Sequence, residues 1–336
     1  MDELLFPVAA VAVTFLVVIP ALTLASRAVL ARRRRRARSL GDFGTESVFA
    51  WLVMPSLLPV LWLTSSALHQ SEPSRLADTC LIAHVHPTTC LDAILLLGLL
   101  SAGLAASVAH RVWRERLRFA VVPLAPDQPL SLRVAGLVAA DPRLRRLRTV
   151  VTRSAPAPVC AVGWFRRRVL VDACFVRDSD DAMLRAALLH ESAHVDAFDT
   201  FRSAVARLCL GINPVGQWLA PDLERWHQAR EAHCDSAAVH RGGDALALAE
   251  GIVRAARFHC VERARCGAAM LCGDELSTLR LRLTLLLHGP PSPVRTAGHL
   301  VLGAALLAAL VLPHVAGADL LEHFHFEVER LLHPLG

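Results

Sequence analysis

The chain has 336 residues, of which 54% are hydrophobic and 20% are charged, and its formal net charge is +6. A soluble domain carries about 25% charged residues, whereas here the apolar residues are in excess and occur in long blocks. This composition excludes a disordered chain, a coiled coil and an ordinary cytosolic enzyme.

Four blocks without charged residues, or nearly so, predict transmembrane helices. A helix needs roughly 20 apolar residues to cross the hydrocarbon core of a bilayer, and each block is about that long. The alternative for each block is a buried core helix. The predicted spans are residues 5–25, 48–68, 91–109 and 297–318.

The arginines predict the orientation of these helices. The run Arg32–Arg36 follows the first block, and further arginines follow the third. Arginine-rich loops stay in the cytoplasm, so the N-terminus is expected outside and residues 111–296 inside. Beside a membrane, the run favours contact with anionic lipids over contact with nucleic acid.

The expected outer segments carry two weaker predictions. Cys80 and Cys90 lie in the loop 69–90, where oxidising conditions allow them to form a disulfide. The tail 319–336 has its apolar residues on one helical stripe, so it is expected to lie on the outer membrane surface or to pack on the spans.

Residues 111–296 begin with strand patterns and continue with helical ones. Short valine-rich runs bounded by Pro, Ser and Gly predict strands at 147–153, 158–163 and 168–171. Ser179 or Asp180 is expected to cap a long helix that runs to about Cys209. Asn213-Pro214 is typical of an N-cap followed by proline. Further helices are predicted from Pro221-Asp222 and over 244–259 and 275–287.

The long predicted helix contains the sequence His-Glu-Ser-Ala-His at residues 190–194. Residues i and i+4 lie on one face of a helix, about one turn apart. His190 and His194 can therefore bind one tetrahedral zinc ion together. Glu191 projects beside them, where it can accept a proton from a zinc-bound water. The alternative is a chance match on an amphipathic helix.

A second pair of acidic residues completes the predicted site. A catalytic zinc needs a third protein ligand and an open position. Glu231 and Asp235 are again four residues apart on a predicted helix. We expect Glu231 to be the third ligand and Asp235 to hydrogen-bond a ligand histidine. The two helices together predict one catalytic zinc ion.

Two further residues are weaker candidates. Asp199 lies five residues after His194, well round a straight helix from the ligand face, so a solvent-exposed charge competes with a supporting contact. His227 is one turn before Glu231, and it is either an oxyanion stabiliser or a surface histidine.

These motifs resemble those of the BlaR/MecR-type membrane zinc metallopeptidases, the antirepressor and antibiotic-sensor family. The resemblance implies an α-helical membrane protein with an inserted α+β zincin-like (gluzincin) cytoplasmic domain. It also implies the ligands His190, His194 and Glu231, with Glu191 as base. The matching pieces are 190–194, Asp199, Ile212-Asn213-Pro214, 219–230 and 231–235, with 159–171 similar to the strand pair before the zinc helix.

The predicted topology puts the zinc site, and hence its substrate, in the cytoplasm. The resemblance suggests a BlaI-type winged-helix repressor or the chain's own linker as that substrate. Receptor members carry a penicillin-binding domain after the last span, whereas 319–336 is short, so direct β-lactam sensing is not expected. One alternative is a CAAX-prenyl-protease or HtpX-like quality-control protease. Another is a non-catalytic, zinc-stabilised membrane receptor or scaffold.

Overall fold

The computed structural model describes most of the segment 121–265 and two helices before it. In full, the described residues are 11–36, 40, 43–70, 102–103, 106, 108–110, 113, 121–153, 155–265, 279–284 and 286. They are mostly helical, with one small three-stranded sheet.

Two apolar helices open the described chain. Helix α1 covers Val11–Arg36, including a π-helical turn at Thr14–Val18. Among the described residues it is the one helix long and apolar enough to cross a membrane. Helix α2 covers Glu46–Gln70 and contains the shorter apolar stretch Glu46–Trp62.

The remaining membrane predictions fall mainly outside the described residues. Only scattered helical positions of 91–109 are described. The span 297–318, the tail 319–336 and the cysteines Cys80 and Cys90 lie outside the described residues altogether. A multi-pass arrangement therefore stays a prediction.

Three strands form one sheet, as the sequence predicted. They are β1 (Thr149–Thr152), β2 (Val159–Val162) and β3 (Arg168–Asp172). The order is β1-β3-β2, with β1 parallel and β2 antiparallel to β3. Among the described strands β2 pairs with β3 alone, so its other edge is free of strand pairing.

Two helices that the sequence analysis did not predict flank this sheet. Helix α3 (Pro129–Ala140) begins with proline, whose fixed backbone angle suits a first helical turn. Helix α4 (Ala173–Asp178) directly follows β3, and the Asp172 carboxylate caps it by accepting from the backbone N–H groups of Cys174 and Phe175.

The predicted single long helix to Cys209 is wrong, because the helix ends shortly after the motif His190–His194 and a second helix follows. Helix α5 covers Asp181–Asp196 and helix α6 covers Asp199–Ile212. Between them Phe198 has a φ of 57°, in the left-handed region that few non-glycine residues adopt. The Arg167 guanidinium lies 3.6 Å from the centre of the Phe198 ring and also donates to the Val195 carbonyl, which holds this turn in place.

The predicted N-cap role of Asn213 is also wrong. Asn213 ends α6, and its side-chain oxygen accepts from the Val215 N–H at 2.9 Å. Its amide donates to Thr23 Oγ1 of α1 at 2.9 Å, so the side chain is used for a contact between helices. A 3₁₀ turn (Gly216–Leu219) then leads into helix α7 (Ala220–His240), and helix α8 covers Ala245–Arg265.

Two large hydrophobic clusters hold most of these elements together, and a small third cluster surrounds Leu170 of β3. The first is formed by the sheet and by one face of α3, α5 and α8, with Leu286 packed into it. The second is formed by α1, α2, α6 and α7 around the buried Trp226. Since α5 belongs to the first cluster and α6 to the second, the break at Phe198 lies where the two clusters meet.

Candidate metal centre

His190 and His194 lie on α5, one turn apart. Asp180 caps this helix by accepting from the Met183 N–H at 2.7 Å, and the apolar residues of the helix pack into the first cluster. The Nε2 atoms of the two histidines are 3.2 Å apart. The two ring nitrogens therefore point to a common position.

Glu231 reaches this position from α7. Its Oε1 lies 3.3 Å from His194 Nε2, and its Oε2 lies 3.5 Å from His190 Nε2. Ligand atoms around a tetrahedral zinc with bonds of about 2.0–2.2 Å are separated by roughly 3.3–3.6 Å. One ring nitrogen of each histidine and one Glu231 oxygen thus form a group that could hold a metal ion, and these donor types suit zinc.

Each histidine has a carboxylate at its other ring nitrogen. His194 Nδ1 is hydrogen-bonded to Asp199 Oδ2 at 2.9 Å. His190 Nδ1 approaches Asp235 Oδ1 to 2.9 Å without a well-aligned hydrogen bond. A carboxylate in this place fixes the ring orientation and tautomer of a metal-binding histidine. Asp235 thus lies beside the ring nitrogen that it was predicted to contact, and Asp199 hydrogen-bonds the other histidine.

Of the two alternatives for Asp199, the solvent-exposed charge is wrong and the supporting contact is present. The residue is 6% exposed and is the first residue of α6. The expectation assumed a straight helix, whereas the left-handed turn at Phe198 brings Asp199 back beside His194. Arg230 of α7 donates to both Asp199 oxygens at 3.1 Å and balances the charge.

Glu191, the predicted base, contacts the free edge of the sheet. Its Oε2 accepts from the Ala161 N–H of β2 at 2.7 Å. The Asp172 N–H donates to the Pro158 carbonyl. In this antiparallel pair, every second residue from Pro158 onward therefore hydrogen-bonds to β3, and the residues between them do not. Val159 and Ala161 consequently turn their backbone groups away from β3. Glu191 therefore lies where an extended peptide could pair with β2.

His227 makes no described hydrogen bond or ion pair with the cluster, so the described contacts give no support to the predicted role of oxyanion stabiliser. Its Nε2 lies 3.0 Å from Ser203 Oγ of α6, and burial lowers its pKa. The described contact links α7 to α6, next to the centre but not in it.

The charges of the cluster favour a bound cation. Burial alone lowers the pKa of His190, but the Asp235 and Glu231 carboxylates outweigh it and raise that pKa to about 10. Burial raises the pKa of Glu231, yet His194 and Arg282 hold it well below its ordinary value. Burial raises the pKa of Glu191, as suits a proton acceptor. A metal ion would replace the histidine protons.

Three residues near the centre were missed in the sequence. Arg230 pairs with Asp199, and Arg282 pairs with Asp235 and Glu231. Cys234 is fully buried, with Sγ 3.4 Å from His194 Nδ1. Arg230 and Cys234 adjoin the acidic pair in sequence, which is a usable signal. No spacing links Arg282 to either motif.

Comparisons with known proteins do not identify a family or a function for this chain. The chain matches no protein-family model, and neither a curated protein nor a solved structure is significantly similar to it.

Proposed function

We propose that the chain is an integral-membrane zinc metalloendopeptidase that acts on the cytoplasmic side of the cell membrane. We further propose that it works in signalling, by cleaving a transcriptional repressor or itself. One observation carries the proposal: His190, His194 and Glu231 converge at separations that suit zinc, and Glu191 lies beside them at the edge of β2.

The residues of the site suit peptide hydrolysis. Zinc, when bound by His190, His194 and Glu231, supplies a Lewis acid and a water of lowered pKa. Glu191 takes a proton from the attacking water and gives it to the leaving amine. A receptor or scaffold with a structural metal does not need a base in this position.

The free edge of β2 suits an extended peptide substrate. Val159 and Ala161 turn backbone groups outward there, and those other than the Ala161 N–H, which Glu191 accepts, can bind a peptide strand by main-chain hydrogen bonds. Because the Ala161 N–H bonds to Glu191, a peptide at this edge lies next to the base. This arrangement favours cleavage within a chain over recognition of a terminus.

The signalling role and the membrane topology rest on sequence. The motif resemblance to BlaR/MecR-type peptidases supports a cytoplasmic repressor of the BlaI type as substrate. The arginine run at the end of α1 supports the placement of the zinc domain in the cytoplasm.

New protein N-termini should be compared in cells that carry wild type or Glu191→Gln. The substitution removes the base and spares all three ligands, so we expect cleavage to fall by about 10²–10⁴-fold. Glu224→Gln, an exposed change on α7, is the matched control and should cleave like wild type.

The identity of the lost cuts separates the possible roles. Cuts in one DNA-binding protein, or in the chain itself, support signalling. Cuts spread over many membrane proteins would replace signalling by quality control. Equal N-termini in wild type and Glu191→Gln under every stimulus tried would contradict the peptidase proposal.

A further inference from the structure

Arg282 is a buried cation that comes from a distant part of the chain. It lies in the helical residues 279–284, where Leu279 and Leu283 pack against the first hydrophobic cluster. Its side chain is 16% exposed. A guanidinium that has lost most of its water needs charged or polar partners to compensate for the loss.

Its partners are two acidic residues of the metal centre. The guanidinium binds Asp235 through two parallel bonds, Nε to Oδ2 at 2.7 Å and Nη2 to Oδ1 at 2.8 Å. Its remaining nitrogen, Nη1, lies 3.1 Å from Glu231 Oε2. All three nitrogens are thus engaged, and the planar fork fixes both carboxylates relative to each other.

The contact with Glu231 makes the two oxygens of that carboxylate inequivalent. Oε2 is held by Arg282 and lies 3.5 Å from His190 Nε2, whereas Oε1 faces His194 Nε2 at 3.3 Å. Rotation of the carboxylate would break the ion pair, so Arg282 holds Oε2 toward His190 and leaves Oε1 toward His194. The bond to Asp235 also orients the carboxylate that approaches His190 Nδ1.

We propose that Arg282 is a positioning residue of the metal centre. It acts through Glu231 and Asp235, and it ties the centre to the segment after α8. The inference rests on the proposed function only in requiring that the centre binds a divalent metal. It does not depend on the substrate or on peptidase activity.

Two physical effects of Arg282 predict opposite results. A cation near a metal ion repels it, so simple electrostatics predicts tighter metal binding without the arginine. Positioning predicts weaker binding, because Glu231 and Asp235 lose their fixed orientation. Loss of an outer partner of metal ligands typically costs about 10–100-fold in affinity.

The test is metal affinity of the full chain in detergent micelles. Metal-free protein is titrated with Co²⁺ to follow its absorption bands, and Zn²⁺ affinity is measured by competition with a chelator. Arg282→Met should weaken Zn²⁺ binding about 10–100-fold and change the Co²⁺ spectrum. Arg282→Lys keeps the charge but not the fork, so it should recover only part of the affinity.

Two further variants keep the test decisive. Arg280→Met changes an exposed arginine of the same helical turn and should bind like wild type. If Arg282→Met does not fold, the double variant Arg282→Met, Asp235→Asn removes both charges of the buried pair. This double variant should bind metal, but more weakly than wild type.

Each outcome bears on one of the two proposals. Unchanged or tighter binding in the folded Arg282 variants would overturn the positioning role. Full recovery by Arg282→Lys would also overturn it, since charge alone would then be sufficient. A wild-type chain that binds neither metal would overturn the metal centre itself, and with it the inference.

Discussion

The left-handed backbone of Phe198 decides where Asp199 lies. A non-glycine residue in this conformation costs about 1–2 kcal/mol. Arg167 stabilises this strained turn, because it stacks on the Phe198 ring and donates to the Val195 carbonyl. The turn allows the first residue of α6 to accept a hydrogen bond from His194.

Two substitutions at Phe198 separate its backbone from its ring. Phe198→Gly and Phe198→Ala both lose the Arg167 stacking contact, but only glycine relieves the strained φ. We expect the glycine variant to be more stable than the alanine variant by about 1 kcal/mol. Reversible unfolding of the full chain in mixed micelles measures the difference, and a less stable glycine variant would contradict the assignment of strain.

For individual residues, the sequence predicted the positions that follow directly from the geometry of a helix. The four-residue spacings of His190 and His194, and of Glu231 and Asp235, place each pair on one face of a helix. Asp199 could not be placed, because its position depends on a turn that carries no glycine. Arg282 could not be found, because only tertiary packing brings residues 279–284 to α7.

At the scale of helices and strands, the connection from α6 to α7 packs closely against the backbone at the end of α6. A Cβ atom added at Gly216 would collide with the Leu210 carbonyl group at the end of α6. A Cβ atom at Gly136, in the interior of α3, would meet nothing within 4 Å. Gly216 therefore allows α6 and the 3₁₀ turn to approach closely.

These two glycines give a matched pair of substitutions. Gly216→Ala should destabilise the protein by about 1–3 kcal/mol, since backbone atoms must move apart. Gly136→Ala should stabilise it by about 0.5–1 kcal/mol, as expected for alanine in a helix. Unfolding in mixed micelles measures both, and equal shifts would argue against a close contact at Gly216.

The strands and most later helices were predictable, because valine runs and helical periodicity mark them directly. The sequence analysis missed α3 (Pro129–Ala140). It also joined α5 to α6, since nothing in the local sequence marks the break. In both places tertiary packing decides the structure.

For the molecule as a whole, α1 and α2 belong to the same packed unit as the candidate site. Asn213 donates to Thr23 of α1, and Ser56 of α2 donates to the Cys209 carbonyl of α6 at 2.8 Å. Sequence analysis treated residues 111–296 as a separate domain and could not show these contacts.

A chain of charges links α2 to the metal centre. Arg202 Nη1 lies 2.6 Å from Glu46 Oε1 at the start of α2 and 3.9 Å from Asp199 Oδ1. Asp199 in turn binds His194. A movement of α2 against α6 must therefore break contacts that lead to a candidate metal ligand.

Metal content is the most direct test of the proposed centre. The full chain is purified in detergent, supplied with Zn²⁺, dialysed and analysed by mass spectrometry of the metals. We predict one zinc per chain in wild type and in Glu191→Gln, and none in the double variant His190→Ala, His194→Ala. A wild-type chain without zinc, or a double variant that still holds it, would contradict the site described above.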